Sequence, residues 1–507
     1  MQPRKSLQFY YLSDTNMDHN SPQKVVTRFA PSPTGFMHIG GVRTALYAYL
    51  FAKKNNGTFI LRIEDTDKNR EVDGSIAHIQ ESLQWLGLNW DYGPDKPGEF
   101  SSCLQSDRLD IYKKYAQKLI EKGLAYPDPY TAEELAEFRA AADAEKKPFL
   151  YRNHRPAEFS EWDGTQALRF KVPEIKRYTW HDEVRGELTA GEEMLDDVIL
   201  IKADGYPTYN FAHIVDDLEM GVTHVMRGEE FISSTPKFLS IYDALEIPYP
   251  KLVTLPPIMG PDGKKKLSKR DGAKDLLEYR ADGYLPEAMR NFLALVGWNP
   301  GGEQELYRSS ADDSSLIDAF SIEKIQRSGG AFNEEKLLWM NKEYLKLQTA
   351  DFQTDYFSDA LPKNIQELPS CTPELLQKLT PVALERIHNK VEIAEAAEAG
   401  EYDWAFMTPE YGPELLQWKN DDSPADALPR LQKAILLLSE ADFGSPESIK
   451  VAVWEYAEEV GKGELLWPLR TCLSGRAQSP DPFTLAHVLG MQETLSRIQT
   501  ACDKIAE

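Results

Sequence analysis

Hydrophobic and polar positions change their spacing several times along the chain, and each change marks an element. Residues 25–29, VVTRF, are short and β-branched and run into the turn-rich Pro31-Ser32-Pro33-Thr34-Gly35, which predicts a strand ending in a tight loop. From about His38 to Lys54 the apolar positions, Leu46, Tyr49 and Leu50 among them, form a helical stripe that stops before Asn56-Gly57. Residues 58–64 read as a second strand. Strand, helix and strand in that order predict a parallel pair joined by a right-handed crossover. Helices are predicted over about 72–86 and 107–122. Between about 124 and 195 the character changes, with the charged run AEELAEFRAAADAEKK and short strands such as 167–172, which predicts an insertion. Strand signals resume at 198–201 and 223–226, and Thr235 followed by Pro236 predicts a capped helix start. Residues 252–255 predict a last strand leading straight into a lysine-rich loop. Past about 275 the strand signals fade, and from about 345 the pattern is helical, as in LLQKLTPVALERI and RLQKAILLLSEA. The expected fold class is therefore α/β: a doubly wound sheet split by an inserted α+β domain, then a mainly α-helical region.

Composition adjusts this outline in three places. At 507 residues the chain is expected to form three or more units. Its four cysteines (Cys103, Cys371, Cys472 and Cys502) are scattered without a CxxC pair, which fits a reducing compartment and speaks against a cysteine-based zinc site. The first 20 or so residues lack the apolar run of a signal peptide, and no stretch of 18 apolar residues follows. The expectation is a cytoplasmic protein with a loose N-terminal tail and no membrane partner. The net charge of −24 by itself argues against a nucleic-acid partner, because phosphate contacts call for Lys and Arg. A sum can nevertheless hide a local basic face.

Two segments carry candidate chemistry. The first is RFAPSPTGFMHIGGVRTAL, from Arg28, which contains neither GxxxxGK[ST] nor GxGxxG. It offers a strand end, a tight turn and a helix N-terminus with His38, Gly40 and Gly41, where free N–H groups suit a phosphate and glycine admits a flat nucleotide. Taken alone, His38 fits a loop histidine as well as a catalyst. The second is GPDGKKKLSKRDG, from Gly260, whose lysines fit a solvated loop as well as one that closes over a triphosphate. Three charges, Arg28, Glu64 and Arg227, end separate predicted strands at the rim where doubly wound sheets bind ligands. Any one of them alone fits a surface ion pair.

Together the two segments resemble the HIGH and KMSKS motifs of class I aminoacyl-tRNA synthetases, here His38-Ile39-Gly40-Gly41 and Lys266-Leu267-Ser268-Lys269-Arg270. RFAPSPTG, RIEDTD and KLSKRDGA are similar to the glutamyl branch, bacterial type, and the likeness extends over residues 24–507. The departures, Gly41 for the second histidine, Leu267 for Met and Arg270 for the final Ser, are usual in that branch. The resemblance implies a split class I Rossmann catalytic domain at 24–123 and 198–258 after a tail at 1–23. It further implies an inserted acceptor-binding domain at 124–197, a KMSKS and stem-contact region at 259–345, and an all-helical anticodon-binding domain at 346–507.

The implied activity is a glutamate–tRNA ligase. It makes glutamyl-adenylate from L-glutamate and ATP with Mg²⁺, then moves glutamate to the terminal ribose of tRNA(Glu), through the 2′ hydroxyl. By resemblance, His38, Lys266 and Lys269 are catalytic, with His38, Gly40, Gly41 and Lys269 on ATP. Arg28 holds the side-chain carboxylate of glutamate, Glu64 the ammonium and Arg227 the α-carboxylate. Ala30, Ser32, Tyr209 and His213 complete the substrate positions, although some relatives carry Asn at the place of His213 and Trp at that of Phe231. Arg470, Ser479 and Pro480 fall on the anticodon-contacting stretch. The expected state is a monomer. No zinc is expected, because Pro127, Asp128 and Pro129 stand where some bacterial relatives carry cysteine ligands.

Overall fold

The computed structural model describes residues 24–267, 274–307 and 314–507. The first strands, β1 (Val26–Phe29) and β2 (Thr58–Leu61), lie parallel with Val26 opposite Thr58, and α1 (Ile39–Lys54) crosses between them. The sharp return after α1 depends on Gly57, since a Cβ there would sit 2.3 Å from the Val25 carbonyl oxygen. Next come β3 (Ala125–Pro127), α4 (Ala132–Ala144), β4 (Leu168–Phe170), the hairpin β5 (Tyr178–Asp182) and β6 (Gly186–Ala190), then β7 (Ile199–Ile201). β8 (His224–Gly228) and β9 (Lys251–Leu255) follow. The main sheet runs β2-β1-β8-β9-β5-β6, parallel except for the final hairpin.

Both faces of this sheet are covered, and the period of two along a strand decides which side chain goes where. On β2, Phe59 and Leu61 join the core around α1, whereas Ile60 joins the core formed by α3 (Leu109–Glu121), α5 (Tyr209–Glu219) and α6 (Thr235–Leu245).

The insertion is wired differently from the expectation. β7, read as the resumption of the catalytic sheet, instead pairs antiparallel with β4 in a three-stranded β3-β4-β7 sheet. The β5–β6 hairpin, read as part of the insertion, extends the catalytic sheet through β9. The cause is a buried acid: the Asp182 carboxylate accepts from Thr254 N at 3.0 Å and Thr254 Oγ1 at 2.6 Å on β9, and also from Val184 N. A second correction concerns Thr235, which is the first residue of α6 rather than its cap. Its hydroxyl donates back to Phe231 O at 2.9 Å.

Past Leu255 a short parallel pair, β10 (Ile258–Met259) with β11 (Gly330–Ala331), flanks the lysine-rich segment. Among the described residues no strand follows Ala331, and the helices from Glu334–Lys346 to Pro482–Ala506 enclose a separate core. No described helix is long and apolar enough to cross a membrane.

In the insertion, the Asp128 carboxylate accepts from Tyr151 OH at 2.6 Å and from Arg169 Nε at 2.6 Å. Arg169 also stacks 3.4 Å over the Tyr151 ring. Asp197 is bonded by Tyr126 OH and by Arg155. Asp128 and Asp197 thus each anchor an ion-paired aromatic network in the insertion.

Candidate active site

The site lies where the carboxyl ends of β1, β2 and β8 open toward the start of α1. Backbone bonds lock the two loops that follow β1 and β2, Arg62 N to Phe29 O and Glu64 N to Pro31 O, each at 2.9 Å. Two cavities flank the loop after β1. One of about 500 Å³ is lined by Met37, His38, Gly40, Gly41, Glu230 and Lys266. The other, of about 320 Å³, is lined by Glu64, Thr66, Gln105, Lys202 and Tyr209. Ser32 and Thr34 line both, so the cavities share one wall.

His38 caps α1 with its side chain. Nδ1 accepts from Gly40 N at 3.2 Å and Gly41 N at 3.3 Å, so a neutral ring carries its hydrogen on Nε2. The first helix N–H groups, expected to be available to a phosphate, thus face the imidazole instead. A Cβ at Gly40 would lie 3.1 Å from the His38 ring and crowd this cap, whereas one at Gly41 would meet nothing nearer than 3.8 Å.

The lysine segment is anchored to this cavity at both ends. Upstream, Leu267 N donates to Ile258 O at 2.8 Å, and Lys266 Nζ lies 3.9 Å from Glu230. Downstream, Asp275 caps α7 (Leu276–Ala281), and Leu276 N donates to Met37 O. His78, on α2 (Ser75–Trp85), accepts at Nδ1 from Met37 N and bonds Asp275 Oδ1 through Nε2 at 2.9 Å. Ser268, Lys269 and Arg270 lie outside the described residues.

The charged rim is a buried network. Arg28 donates from Nε to Asp217 Oδ1 at 3.1 Å. Arg62, fully buried, donates to Asp217 at 2.7 Å and to Glu64 at 3.0 Å. Asp216 accepts from Arg108, Gln105 and Tyr112, each at 2.8 Å. Burial alone would lower the Arg62 pKa, but Asp217, Glu64 and Asp216 outweigh it and hold the guanidinium well above its usual range. Burial would raise Asp217; Arg28 and Arg62 outweigh it and hold the carboxyl well below the usual range. Glu64 is moved the other way, because burial outweighs Arg62 and Arg28. Arg227 donates to Thr235 Oγ1 at 2.8 Å and lies 5.1 Å over the Phe238 ring.

Tyr209 and His213 stack at 4.7 Å, and His213 Nδ1 donates to Tyr209 O. Burial pushes the His213 pKa down to about 3, so the ring is neutral at physiological pH. Ala30 is half-buried beside the Ser32 turn. Sequence reasoning missed Arg62, Asp216, Asp217 and Thr235. The available signal was the acidic pair in FAHIVDDLE, where Asp216 and Asp217 follow Ile214 and Val215 on a helix with a long buried run.

Far from this rim, Arg470, Ser479 and Pro480 line one cavity of about 650 Å³ with Arg386, Arg476 and Trp404. Arg470 is tied there, donating to Ala477 O at 2.7 Å and lying 4.9 Å over the Trp467 ring.

Comparison with known proteins agrees with this layout. The model described as tRNA synthetases class I (E and Q), catalytic domain, matches residues 24–339, and an anticodon binding domain model matches 349–502. A glutamate–tRNA ligase of Clostridium botulinum is 40% identical over 498 residues, spanning 95% of this chain and 99% of its own length. One from Moorella thermoacetica is 38% identical over 496 residues, spanning 96% and 99%. The solved structure of a glutamate tRNA ligase from Elizabethkingia meningosepticum in complex with its amino acid has a TM-score of 0.83 at 35% identity, covering 95% of this chain and 99% of that one. From its catalytic core to its helical end, the chain belongs to the glutamate–tRNA ligases of the class I tRNA synthetase family.

Proposed function

We propose that the two cavities sharing the Ser32–Thr34 wall hold ATP and glutamate side by side, and that this juxtaposition carries the reaction. The activity is the ATP-dependent ligation of glutamate to tRNA. Glu64, which lines the smaller cavity with Ser32 and Tyr209, faces the ammonium, while Arg28 and Arg227, buried and outside that lining, take the side-chain carboxylate and the α-carboxylate, with Ala30 and His213 as further substrate positions. In the larger one the nucleotide lies against Gly40 and Gly41, its Mg²⁺ entering with it as part of the substrate. The α-carboxylate then attacks the α-phosphorus in line and pyrophosphate leaves. No covalent enzyme intermediate is required, so positioning and charge stabilisation supply the catalysis. His38 donates from Nε2, and Lys269 meets the departing phosphates. Lys266 exchanges its Glu230 contact for the nucleotide as the segment closes. The terminal ribose 2′ hydroxyl of tRNA(Glu) next attacks the activated carbonyl, while Arg470, Ser479 and Pro480 contact the anticodon stretch.

Glutamate-dependent ATP–pyrophosphate exchange, run with and without tRNA, tests this reading, and charging of pure glutamate and glutamine tRNAs defines the acceptor. Exchange that ignores glutamate would overturn it. The reading is of a cytoplasmic monomer, supported in compartment by four cysteines without a disulfide.

The enzyme is further expected to work without zinc. The support is the Asp128–Arg169–Tyr151 network, whose carboxylate is already bonded on both oxygens. A strong chelator should leave charging intact once Mg²⁺ is restored, and elemental analysis should find well under one zinc per chain. Stoichiometric zinc whose removal abolishes charging would refute this.

A further inference from the structure

Arg28 cannot by itself account for a preference for glutamate over its amide. Its guanidinium already has a carboxylate partner, Asp217, bonded to Nε at 3.1 Å and lying 3.4 Å from Nη2. If a counter-charge at Arg28 were the whole requirement, Asp217 would meet it before any substrate arrived. The charge left over must therefore be sought in the cluster as a unit.

That cluster is buried, and hydrogen bonds and ion pairs join all of it except Arg227, which donates to Thr235 and couples to Arg28 and Asp217 only through space. Its cations are Arg28, Arg62, Arg108 and Arg227, all at least nine-tenths buried. Its anions are Glu64, Asp216 and Asp217, buried to the same degree. Arg62 is the hub, donating to Glu64 and Asp217 with its Nε 3.8 Å from Asp216. Arg108 sits at the far end, on Asp216 and the Ser102 carbonyl. The other acid on this loop, Asp65, is cancelled by Lys68 at 2.7 Å, and His213 is neutral. Four guanidinium groups against three carboxylates leave one formal positive charge among buried side chains.

We infer that this one surplus charge, shared over the whole cluster through Arg62 and Asp217, selects glutamate, which brings one net negative charge, over glutamine, which brings none. The inference rests on the glutamate pocket proposed above and deepens it. Arg62 and Asp217 act as positioning residues, since one ties together Glu64 and Asp217 and the other fixes Arg28. A charge that is buried without a counter-charge is unfavourable wherever in a low-dielectric cluster it sits. Discrimination should therefore respond to charges that touch no proposed substrate group.

Arg108 and Asp216 are such charges, and they allow a compensation test. The readout is the ratio of kcat/KM for glutamate to that for glutamine in ATP–pyrophosphate exchange, with melting curves confirming that each variant is folded. Arg108→Met removes the surplus and should lower the ratio roughly tenfold or more. Asp216→Asn adds a second surplus charge and should leave the ratio equal or higher, even where absolute rates fall. The double variant restores the count and should return the ratio to within about threefold of wild type. A merely structural role predicts that two lesions are worse than one. An unmoved ratio in folded Arg108→Met, a lowered ratio in Asp216→Asn, or a double variant worse than either single would each overturn the inference. Should Arg108→Met not fold, Asp216→Asn decides alone: an equal or higher ratio upholds the inference and a lowered one overturns it. Wild-type exchange independent of glutamate would instead remove the pocket reading itself, so the two failures are distinguishable.

Discussion

Arg28→Leu is expected to lower kcat/KM for glutamate by roughly 10²–10³-fold, while glutamine, used poorly by the wild type, loses far less. Truncating one member of a buried, hydrogen-bonded charge pair costs about 2–5 kcal/mol. Here the loss is double-sided. The side-chain carboxylate of the substrate loses its guanidinium, and Asp217 keeps only Arg62, at 2.7 Å, as an ionic partner. Arg28 also donates to Met226 O at 3.4 Å, which helps seat β1 against β8. Part of the effect will therefore appear as stability, and a melting curve should accompany the kinetics. Steady-state exchange with each amino acid gives the answer. A discrimination ratio equal to that of wild type would remove Arg28 from the side-chain pocket.

Lys269→Ala should slow adenylate formation by about 10²–10³-fold with little change in glutamate binding. A preorganised charge aimed at developing negative charge contributes about 2.7–4 kcal/mol to the transition state and little to the ground state. The expectation comes from the motif and from the anchoring of the segment, with Lys266 at one end and Asp275, bonded to His78, at the other. Single-turnover quench kinetics at saturating ATP isolate the step. A rate within threefold of wild type would show that the segment does not act on the phosphates. His38→Ala should slow the same step and, unlike Lys269→Ala, also cost the cap of α1, about 1 kcal/mol of stability.

The parts legible in the sequence were those whose signal is local. The strand, turn and helix from Val26 to Lys54 carry their own periodicity, and Gly57 carries its own reason. The placement of Arg28, Glu64 and Arg227 was legible because each was expected near the end of a parallel strand, and each lies near such an end. The exchange of roles between β7 and the β5–β6 hairpin was not legible. A strand of three to five residues shows the same pattern whichever sheet it joins, and the bond from Asp182 to Thr254 spans 72 positions. The acids that hold the rim were hidden for a similar reason. Asp216 and Asp217 are intelligible only once Arg28, Arg62 and Arg108 have been brought to them from other elements. The cap formed by His38 was missed because a histidine at a helix start can face its own backbone as well as a ligand.

The position of β1 in the sheet has a consequence for synthesis. One edge of β1 is covered by β2, which emerges about thirty residues later, but the other edge waits for β8, joined to it by a bond spanning 197 positions. Closing so long a loop adds little to the equilibrium cost, which grows only with the logarithm of length. It adds time. At about 5–20 residues per second, the open edge of β1 is unpaired for roughly 10–40 seconds while the intervening chain is translated. During that interval a strand with free N–H and C=O groups along one edge is available to any other extended chain. Ribosome-bound intermediates ending between β2 and β8 are thus the stage at which this polypeptide most needs protection from its neighbours.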